Sequence, residues 1–174
     1  MKTKFLFFLA GFLLLGWSIT SCKRSCGKCC SEEDTKKTVD VTLKDHGPAP
    51  FVVNIDAATV TNENFRLSLW TGTYFQVTVM SIPVGGEIGL EVHDDTDQFL
   101  RIEEGKGRVM MGDTEKSLTF VREVEADFAV FVPAGKWHNL VNTGDKPLKL
   151  YSIYAPVEHP HSTVHKTPAD DVHH

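Results

Sequence analysis

Four side chains in two separate stretches carry donor atoms of the kinds that bind metal ions. Glu91, His93 and Gln98 lie in GGEIGLEVHDDTDQFLRIEEG, and His138 lies in PAGKWHNLVN. Imidazole nitrogens and a carboxylate suit divalent iron, manganese, nickel or zinc, and a neutral Gln98 oxygen would be a weaker fourth ligand. We therefore predict one divalent metal at Glu91, His93, Gln98 and His138. Glu91 is also the candidate catalytic residue, since a loosely bound carboxylate can act as a base.

Short strands must position these side chains. Turn signals recur about every 8–12 residues, and no stretch has an apolar helical period, which is typical of an all-β sandwich or barrel. Residues 55–61 could form one helical turn before the barrel. The predicted strands cover residues 65–70, 74–82, 87–93, 98–103, 108–111, 115–121, 128–132, 138–142 and 147–154.

Alternation of side chains along a strand predicts which of them share a face. In residues 87–93, Glu91 and His93 fall on one face, and the apolar residues at 88, 90 and 92 fall on the other. That apolar face needs cover from another strand or from a second subunit. Gln98 and His138 each share a face with apolar neighbours, as expected of a polar site at one end of an apolar barrel.

Further side chains near the two stretches allow two interpretations each. The acidic turn that contains Asp94, Asp95 and Asp97 can add metal ligands or be solvated. Trp137 can line the site or pack in the core.

Two further positions also allow two interpretations. Arg101 can bind substrate or form an ion pair on the outer face. Of Tyr151 and Tyr154, only one can face inward.

The N-terminal residues have the layout of a secretory signal. Lys2 and Lys4 precede an apolar run over residues 5–17, and small residues precede Cys22. The sequence Ile-Thr-Ser-Cys resembles a bacterial lipobox, which implies cleavage after residue 21 and lipidation of Cys22. An ordinary signal peptide or an uncleaved anchor is the alternative. The predicted location is the cell envelope, lipid-anchored, on the periplasmic or surface side.

The mature chain is acidic and forms one predicted domain. The net charge of the full chain is −5, and without residues 1–21 it is −7, because 16 Lys and Arg then face 23 Asp and Glu. This balance argues against a nucleic-acid partner. We predict a signal peptide over residues 1–21, a polar tether over 22–49, a barrel over 50–157 and a histidine-containing tail over 158–174.

Cysteine and histidine clusters flank the predicted barrel. Cys26, Cys29 and Cys30 lie in the tether and can bind metal, form a redox pair or simply be exposed thiols. In the tail, His159, His161 and His165 can form a second metal site, close the barrel mouth or do neither.

The spacing of the two stretches resembles the two motifs of the cupin superfamily. The first fits as Gly85, five residues, Glu91-x-His93, four residues, Gln98, six residues and Gly105, with Glu91 and Gln98 in place of the usual His and Glu. The second fits over residues 133–142, with Asp127 at its leading glycine. The resemblance covers about residues 50–157 and implies a double-stranded β-helix, or jelly-roll, barrel. The altered ligands resemble those of small single-domain cupins labelled mannose-6-phosphate-isomerase-like.

Three hypotheses for function follow from these observations. The first is an envelope enzyme that uses one divalent metal on a small polar molecule, with dioxygenase, isomerase, epimerase or decarboxylase chemistry all open. The second is a non-catalytic lipoprotein that captures a small molecule or a metal. The third is an interaction protein that forms a homodimer through the apolar face around Leu90.

Overall fold

The computed structural model of the protein describes residues 41–171. The predicted signal peptide, the predicted lipidation site Cys22 and the cysteines Cys26, Cys29 and Cys30 therefore lie outside the described residues. Within residues 41–171, no helix has the length and apolar character needed to cross a membrane.

Two antiparallel sheets face each other, which confirms the all-β fold that the strand pattern predicts and the jelly-roll architecture that the cupin resemblance implies. The predicted helical turn is the helix α1 (Ile55–Thr61), and a 3-10 turn covers Pro168–Asp170. The strands are β1 (Arg66–Thr71), β2 (Gln76–Ile82), β3 (Asp97–Glu104), β4 (Lys106–Gly112), β5 (Phe120–Glu125), β6 (Ala129–Val132), β7 (Trp137–Asn142), β8 (Leu148–Ala155) and β9 (Val164–His165). The larger sheet has the order β6-β3-β8-β2-β1-β9, and the smaller has the order β5-β4-β7.

The main core lies between the two sheets. Leu100 and Ile102 of β3 pack in one cluster with Leu140 of β7 and Leu150 of β8, and all four are at most 2% exposed. Burial of these side chains stabilises the barrel by about 1.5–3 kcal/mol each. The core therefore fixes the strands that carry Gln98 and His138.

The interior changes from apolar to polar along the strands. In the pairing of β3 with β8, Ile102 lies opposite Leu150, whereas Gln98 lies opposite Tyr154. All four of these side chains are buried. The prediction of a polar site at one end of an apolar barrel is confirmed by this register.

A second cluster covers the outer face of the larger sheet. Ala58 of α1 packs on Leu67 and Leu69 of β1, and Val41 and Leu43 pack against the same cluster. The Asn54 side chain caps α1 by accepting a hydrogen bond from the backbone N–H of Ala57. Residues 41–49, the part of the predicted tether nearest the barrel, thus lie against the sheet.

Residues 87–93 do not form the continuous strand that we predicted. Only two isolated bridges occur there, Glu87 with Val141 and Glu91 with His138. Gly89 between them has a φ of 98°, which breaks the alternation of side chains. Ile88 and Glu91 are consequently both buried, so the predicted division into a polar and an apolar face is wrong.

The strand predicted over residues 115–121 is displaced toward the C-terminus. A tight turn closed by a bridge between Thr114 and Ser117 occupies its first half, and β5 covers Phe120–Glu125. In β5 only Val124 is buried, because the strand lies at a sheet edge. Its sequence therefore lacks the alternation that marks a half-buried strand.

Candidate metal centre

Glu91, His93 and His138 converge at the polar end of the barrel. Each offers one ligand atom, and these three atoms lie within 4.8 Å of one another. The backbone of Glu91 exchanges hydrogen bonds of 3.0 and 2.9 Å with that of His138. This bridge brings together two residues that are 47 positions apart in the sequence.

Both imidazoles turn the same nitrogen toward Glu91. His93 Nε2 and His138 Nε2 lie 3.4 and 3.2 Å from Glu91 Oε1. The other ring nitrogens are held from outside, since His93 Nδ1 lies 3.0 Å from Glu158 Oε1 and His138 Nδ1 lies 2.9 Å from the carbonyl oxygen of Lys136. Metal-binding histidines are oriented in this way by carboxylates and carbonyls.

The charges of the cluster hold Glu91 ionised. Burial alone would raise the pKa of its carboxyl, but hydrogen bonding to His138 and His93 and the charge of Arg66 lower that pKa well below its usual range. For His93, burial lowers the pKa, and the interactions with Glu91 and Glu158 outweigh this and raise it. A divalent ion would therefore bind to the ionised Glu91 carboxylate and compete with a proton on His93.

Gln98 faces the same interior, and its amide has one hydrogen bond. Its Nε2 donates to Ser152 Oγ at 3.1 Å, and its buried Oε1 has no hydrogen-bond partner in the part of the chain that the structure describes. A neutral amide oxygen is a weaker ligand than imidazole for divalent iron, manganese, nickel or zinc. The role of Gln98 as a fourth ligand stays a prediction.

Two of the three residues, Glu91 and His93, line a cavity of about 400 Å³. Trp137 and Leu90 line one part of it, whereas Arg66 of β1 and the C-terminal tail line another. The tail contributes Glu158, His159, His165 and Asp171. The tail therefore encloses the candidate metal centre on this side.

The tail histidines have different surroundings. Burial lowers the pKa of His159 to about 3, and its ring lies edge-on against Tyr154. His165 also lines the cavity, whereas His161 is half exposed and its Nε2 lies 3.0 Å from the carbonyl oxygen of Gly47. Among residues 41–171, Glu91, His93 and His138 are the one group with converging ligand atoms, so the three tail histidines do not form a second such group.

For the acidic residues and Arg101, the structure agrees with the simpler of the two interpretations, in which they lie outside the site. Asp94 and Asp95 are exposed in the turn, and Asp97 is exposed at the start of β3, where its Oδ1 accepts a hydrogen bond from the backbone N–H of Ala134. Arg101 pairs with Asp127 at 2.5 Å on the outside. Trp137, in contrast, lines the cavity.

Of the two tyrosines, Tyr154 faces inward. It is fully buried beside His93, and burial raises its pKa to about 12. Tyr151 packs with the outer cluster.

Comparison with known proteins agrees with this architecture. A family model described as "Cupin domain" matches residues 78–154. The protein YrkC of Bacillus subtilis (strain 168) is 59% identical over 133 residues, which cover 76% of this chain and 72% of that protein. The chain belongs to the cupin superfamily.

Two further similarities extend over much of this cupin. The crystal structure of BH2720 from Bacillus halodurans has 59% identity and a TM-score of 0.73, and the match covers 74% of this chain and 97% of that one. The protein L612 of Acanthamoeba polyphaga mimivirus is 33% identical over 111 residues, which cover 63% of this chain and 68% of that protein.

The glycine positions of the cupin motifs share one backbone property. Gly85, Gly105 and Gly135 have φ values of 69°, 97° and 76°, and Asp127, which replaces the fourth glycine, has a φ of 73°. Aspartate is among the residues that best tolerate this region after glycine. The departure at Asp127 therefore keeps the backbone of the motif.

Sequence reasoning missed three side chains of this centre, namely Arg66, Glu158 and Asp171. Arg66 had a visible signal, because it is a lone charge in the otherwise uncharged strand sequence FRLSLW. Glu158 and Asp171 lie in the tail, whose path over the cavity follows from tertiary contacts. Only the general alternative that the tail closes the barrel mouth pointed to them.

Proposed function

We propose that this cupin binds one divalent metal ion through Glu91, His93 and His138, with Gln98 as a weaker fourth ligand, and acts as an enzyme on a small polar molecule. The observation that carries this proposal is the convergence of three ligand atoms within 4.8 Å, two of them from residues that line a cavity of about 400 Å³. A bound ion of iron, manganese, nickel or zinc would supply a Lewis acid or an oxygen activator.

Different residues around the centre would bind the ion and orient its ligands. Glu158 and the carbonyl of Lys136 hold the two imidazoles with Nε2 inward. Glu91 supplies the negative charge and is the candidate base. Trp137 and Leu90 form an apolar part of the cavity wall. This arrangement leaves room for a small ligand next to the ion, which is the basis for proposing oxygenase or isomerase chemistry.

Elemental analysis of the purified protein tests the metal. We expect about one equivalent of a divalent metal in the wild type, and its loss in His138→Ala. The matched control is His161→Ala, which removes a half-exposed imidazole outside the cavity and should keep the metal. A wild-type protein that takes up no stoichiometric metal, even after incubation with each candidate ion, would contradict the proposal.

A small-metabolite screen then separates catalysis from capture. Turnover that is lost on chelation and restored by the metal supports an enzyme. A stoichiometric metal and a bound metabolite without turnover would overturn the enzymatic part in favour of a non-catalytic binding protein.

We also propose that the protein is a lipoprotein of the cell envelope, anchored through Cys22, within the mannose-6-phosphate-isomerase-like group of small cupins. The support is the lipobox-like Ile-Thr-Ser-Cys sequence and the Glu91-x-His93 and Gln98 pattern. Labelling cells with a fatty-acid analogue should mark the wild type and leave Cys22→Ser unlabelled. Equal labelling of Cys26→Ser and the wild type would be the matched control. Labelling retained in Cys22→Ser would contradict this anchor.

A further inference from the structure

Arg66 is a buried cation at the wall of the metal cavity. Its side chain is 1% exposed, and Nη1 lies 2.6 Å from both carboxylate oxygens of Asp171. Its Nε is buried and has no hydrogen-bond partner among residues 41–171. Placing a guanidinium in the interior is costly unless an anion accompanies it. The barrel thus holds a buried cation that requires an anionic partner.

The anionic partner of Arg66 comes from the tail. Asp171 ends the 3-10 turn Pro168–Asp170, and its side chain is only 7% exposed. His165 Nδ1 lies 3.1 Å from Asp171 Oδ1 and helps to position the carboxylate. A carboxylate on a chain segment outside the barrel strands therefore fills the position that a ligand carboxylate could take.

The pair formed by Arg66 and Asp171 shares one cavity with the candidate metal centre. Arg66 and Asp171 line it together with Glu91 and His93. The charge of Arg66 also acts on Glu91, since it contributes to the stabilisation of that carboxylate. A small molecule held by Arg66 at one end can therefore extend toward the metal ligands.

The surrounding charges favour a monoanion. The cavity is lined by four acidic residues, Glu91, Glu158, Asp170 and Asp171. Among the described residues, Arg66 is the only Lys or Arg that lines it. A doubly charged phosphate would meet stronger repulsion from these carboxylates than a singly charged carboxylate would. The guanidinium fork also matches the planar geometry of a carboxylate.

We propose that Arg66 is the recognition residue for a small carboxylate ligand. In the absence of this ligand, the Asp171 carboxylate pairs with the Arg66 guanidinium, and binding of the ligand displaces it. The assignment of this ligand as the substrate rests on the proposed function. Binding of the carboxylate to Arg66 does not require the metal, so the two can be tested separately.

The test uses the full mature chain after removal of metal by a chelator, with acetate as the probe and chloride at equal ionic strength as the reference. In Asp171→Asn, the competing carboxylate is gone, and we expect acetate to bind about tenfold more tightly than to the wild type in calorimetry, because an intramolecular competitor at a high effective concentration has been removed. Acetate should also raise the unfolding temperature of Asp171→Asn more than that of the wild type.

Two variants serve as controls. Asp145→Asn removes an exposed carboxylate in a loop that does not line this cavity, and should bind acetate like the wild type. Arg66→Gln with Asp171→Asn removes both charges, leaves no unpaired ion, and should abolish acetate binding. If Asp171→Asn is too unstable to purify, acetate binding by the double variant and by the wild type is compared at a high acetate concentration instead.

Three results would overturn the proposal. They are unchanged acetate affinity in Asp171→Asn, acetate binding retained in the double variant, and tighter binding of phosphate than of acetate. Because these measurements use metal-free protein, they are independent of the elemental analysis. Failure of metal binding would leave the carboxylate site intact, and failure of acetate binding would leave the metal proposal intact.

Discussion

Glu158 links the C-terminal tail to a ligand on the barrel. Its Oε1 lies 3.0 Å from His93 Nδ1, and its Oε2 accepts a hydrogen bond of 3.0 Å from Thr96 Oγ1. Thr96 is buried immediately before β3, so it holds the carboxylate in one place. Through these contacts, Glu158 holds the orientation of the imidazole.

Replacing Glu158 should weaken metal binding without removing a ligand. We expect Glu158→Ala to lower metal affinity about 10–100-fold, as loss of such an orienting partner typically does. Glu158→Gln, which can still accept a hydrogen bond, should lie between this variant and the wild type. Competition with a chromogenic chelator measures the affinities.

The matched control for Glu158 is Glu115→Ala, which removes an exposed carboxylate in a turn. It should bind metal like the wild type. An affinity of Glu158→Ala equal to that of Glu115→Ala would show that His93 does not need this partner.

At the scale of elements, the segment from Glu87 to Glu91 is irregular and yet positions a ligand. It contacts β7 through two bridges, and Gly89 with its positive φ and a bend at Leu90 lie between them. A regular strand would place Ile88 and Glu91 on opposite faces, because side chains alternate. The irregular backbone allows Ile88 to fill the core and Glu91 to reach the histidines.

A side chain at position 89 should disturb this arrangement. Gly89→Ala places a β-carbon at a φ of 98°, and we expect a loss of at least about 1–2 kcal/mol in the free energy of unfolding. Metal occupancy should also fall, because the strain acts on the segment that carries Glu91. Urea denaturation and elemental analysis measure the two effects.

Gly144→Ala is the control for this change, since its β-carbon would make only contacts of 3.4–3.5 Å. Its stability should stay within about 0.5 kcal/mol of the wild type. Equal free energies of unfolding and equal metal occupancy in the two variants would contradict the role of the positive φ at Gly89.

At the scale of the whole described domain, Asp45 joins three parts of the chain. Its Oδ1 accepts hydrogen bonds from the backbone N–H groups of Gly47 and Thr71. Its Oδ2 accepts hydrogen bonds from Thr71 Oγ1 and the backbone N–H of Ser162. One carboxylate thus connects the N-terminal segment, β1 and the tail.

The stability of the domain should depend on the charge of Asp45. Burial alone would raise its pKa, but the hydrogen bonds from Thr71, Ser162 and Gly47 lower it below the usual value. Because the folded pKa is the lower one, this stabilisation is present above the unfolded pKa of about 3.9 and is lost as the pH falls through the folded pKa. Asp45→Asn should cost about 2 kcal/mol at neutral pH.

Thermal unfolding at several pH values tests this dependence. The difference between the wild type and Asp45→Asn should be constant near neutral pH and shrink in acid. Asp145→Asn, which alters an exposed carboxylate, should show no such difference. A difference for Asp45→Asn that persists unchanged at pH 2 would contradict the role of its charge.

The barrel and its ligands could be predicted because they depend on local rules. Strand periodicity placed Gln98 and Leu100 on one face, and the spacing of the two motifs brought His93 near His138. The substitution of glycine by Asp127 did not mislead the prediction, because aspartate tolerates the same positive φ.

The remaining features depend on contacts that no local pattern encodes. The positive φ at Gly89 changes which residues face inward, and a glycine in a strand-like sequence does not reveal its φ in advance. The pairing of Arg66 with Asp171 joins residues 105 positions apart. The periodicity of side chains along the strands therefore predicts the walls of the cavity, but it does not predict the tail segment that covers the cavity.

The short strand β9 has a further consequence, for the solubility of the barrel. It pairs with β1 at Arg66 and Leu67, on the side of the larger sheet where β1 would otherwise be the outermost strand. An outermost strand presents unpaired N–H and C=O groups to which the strand of another molecule can add. The tail thus protects this edge from intermolecular strand addition, and a chain shortened before Val164 would be prone to aggregate as it folds.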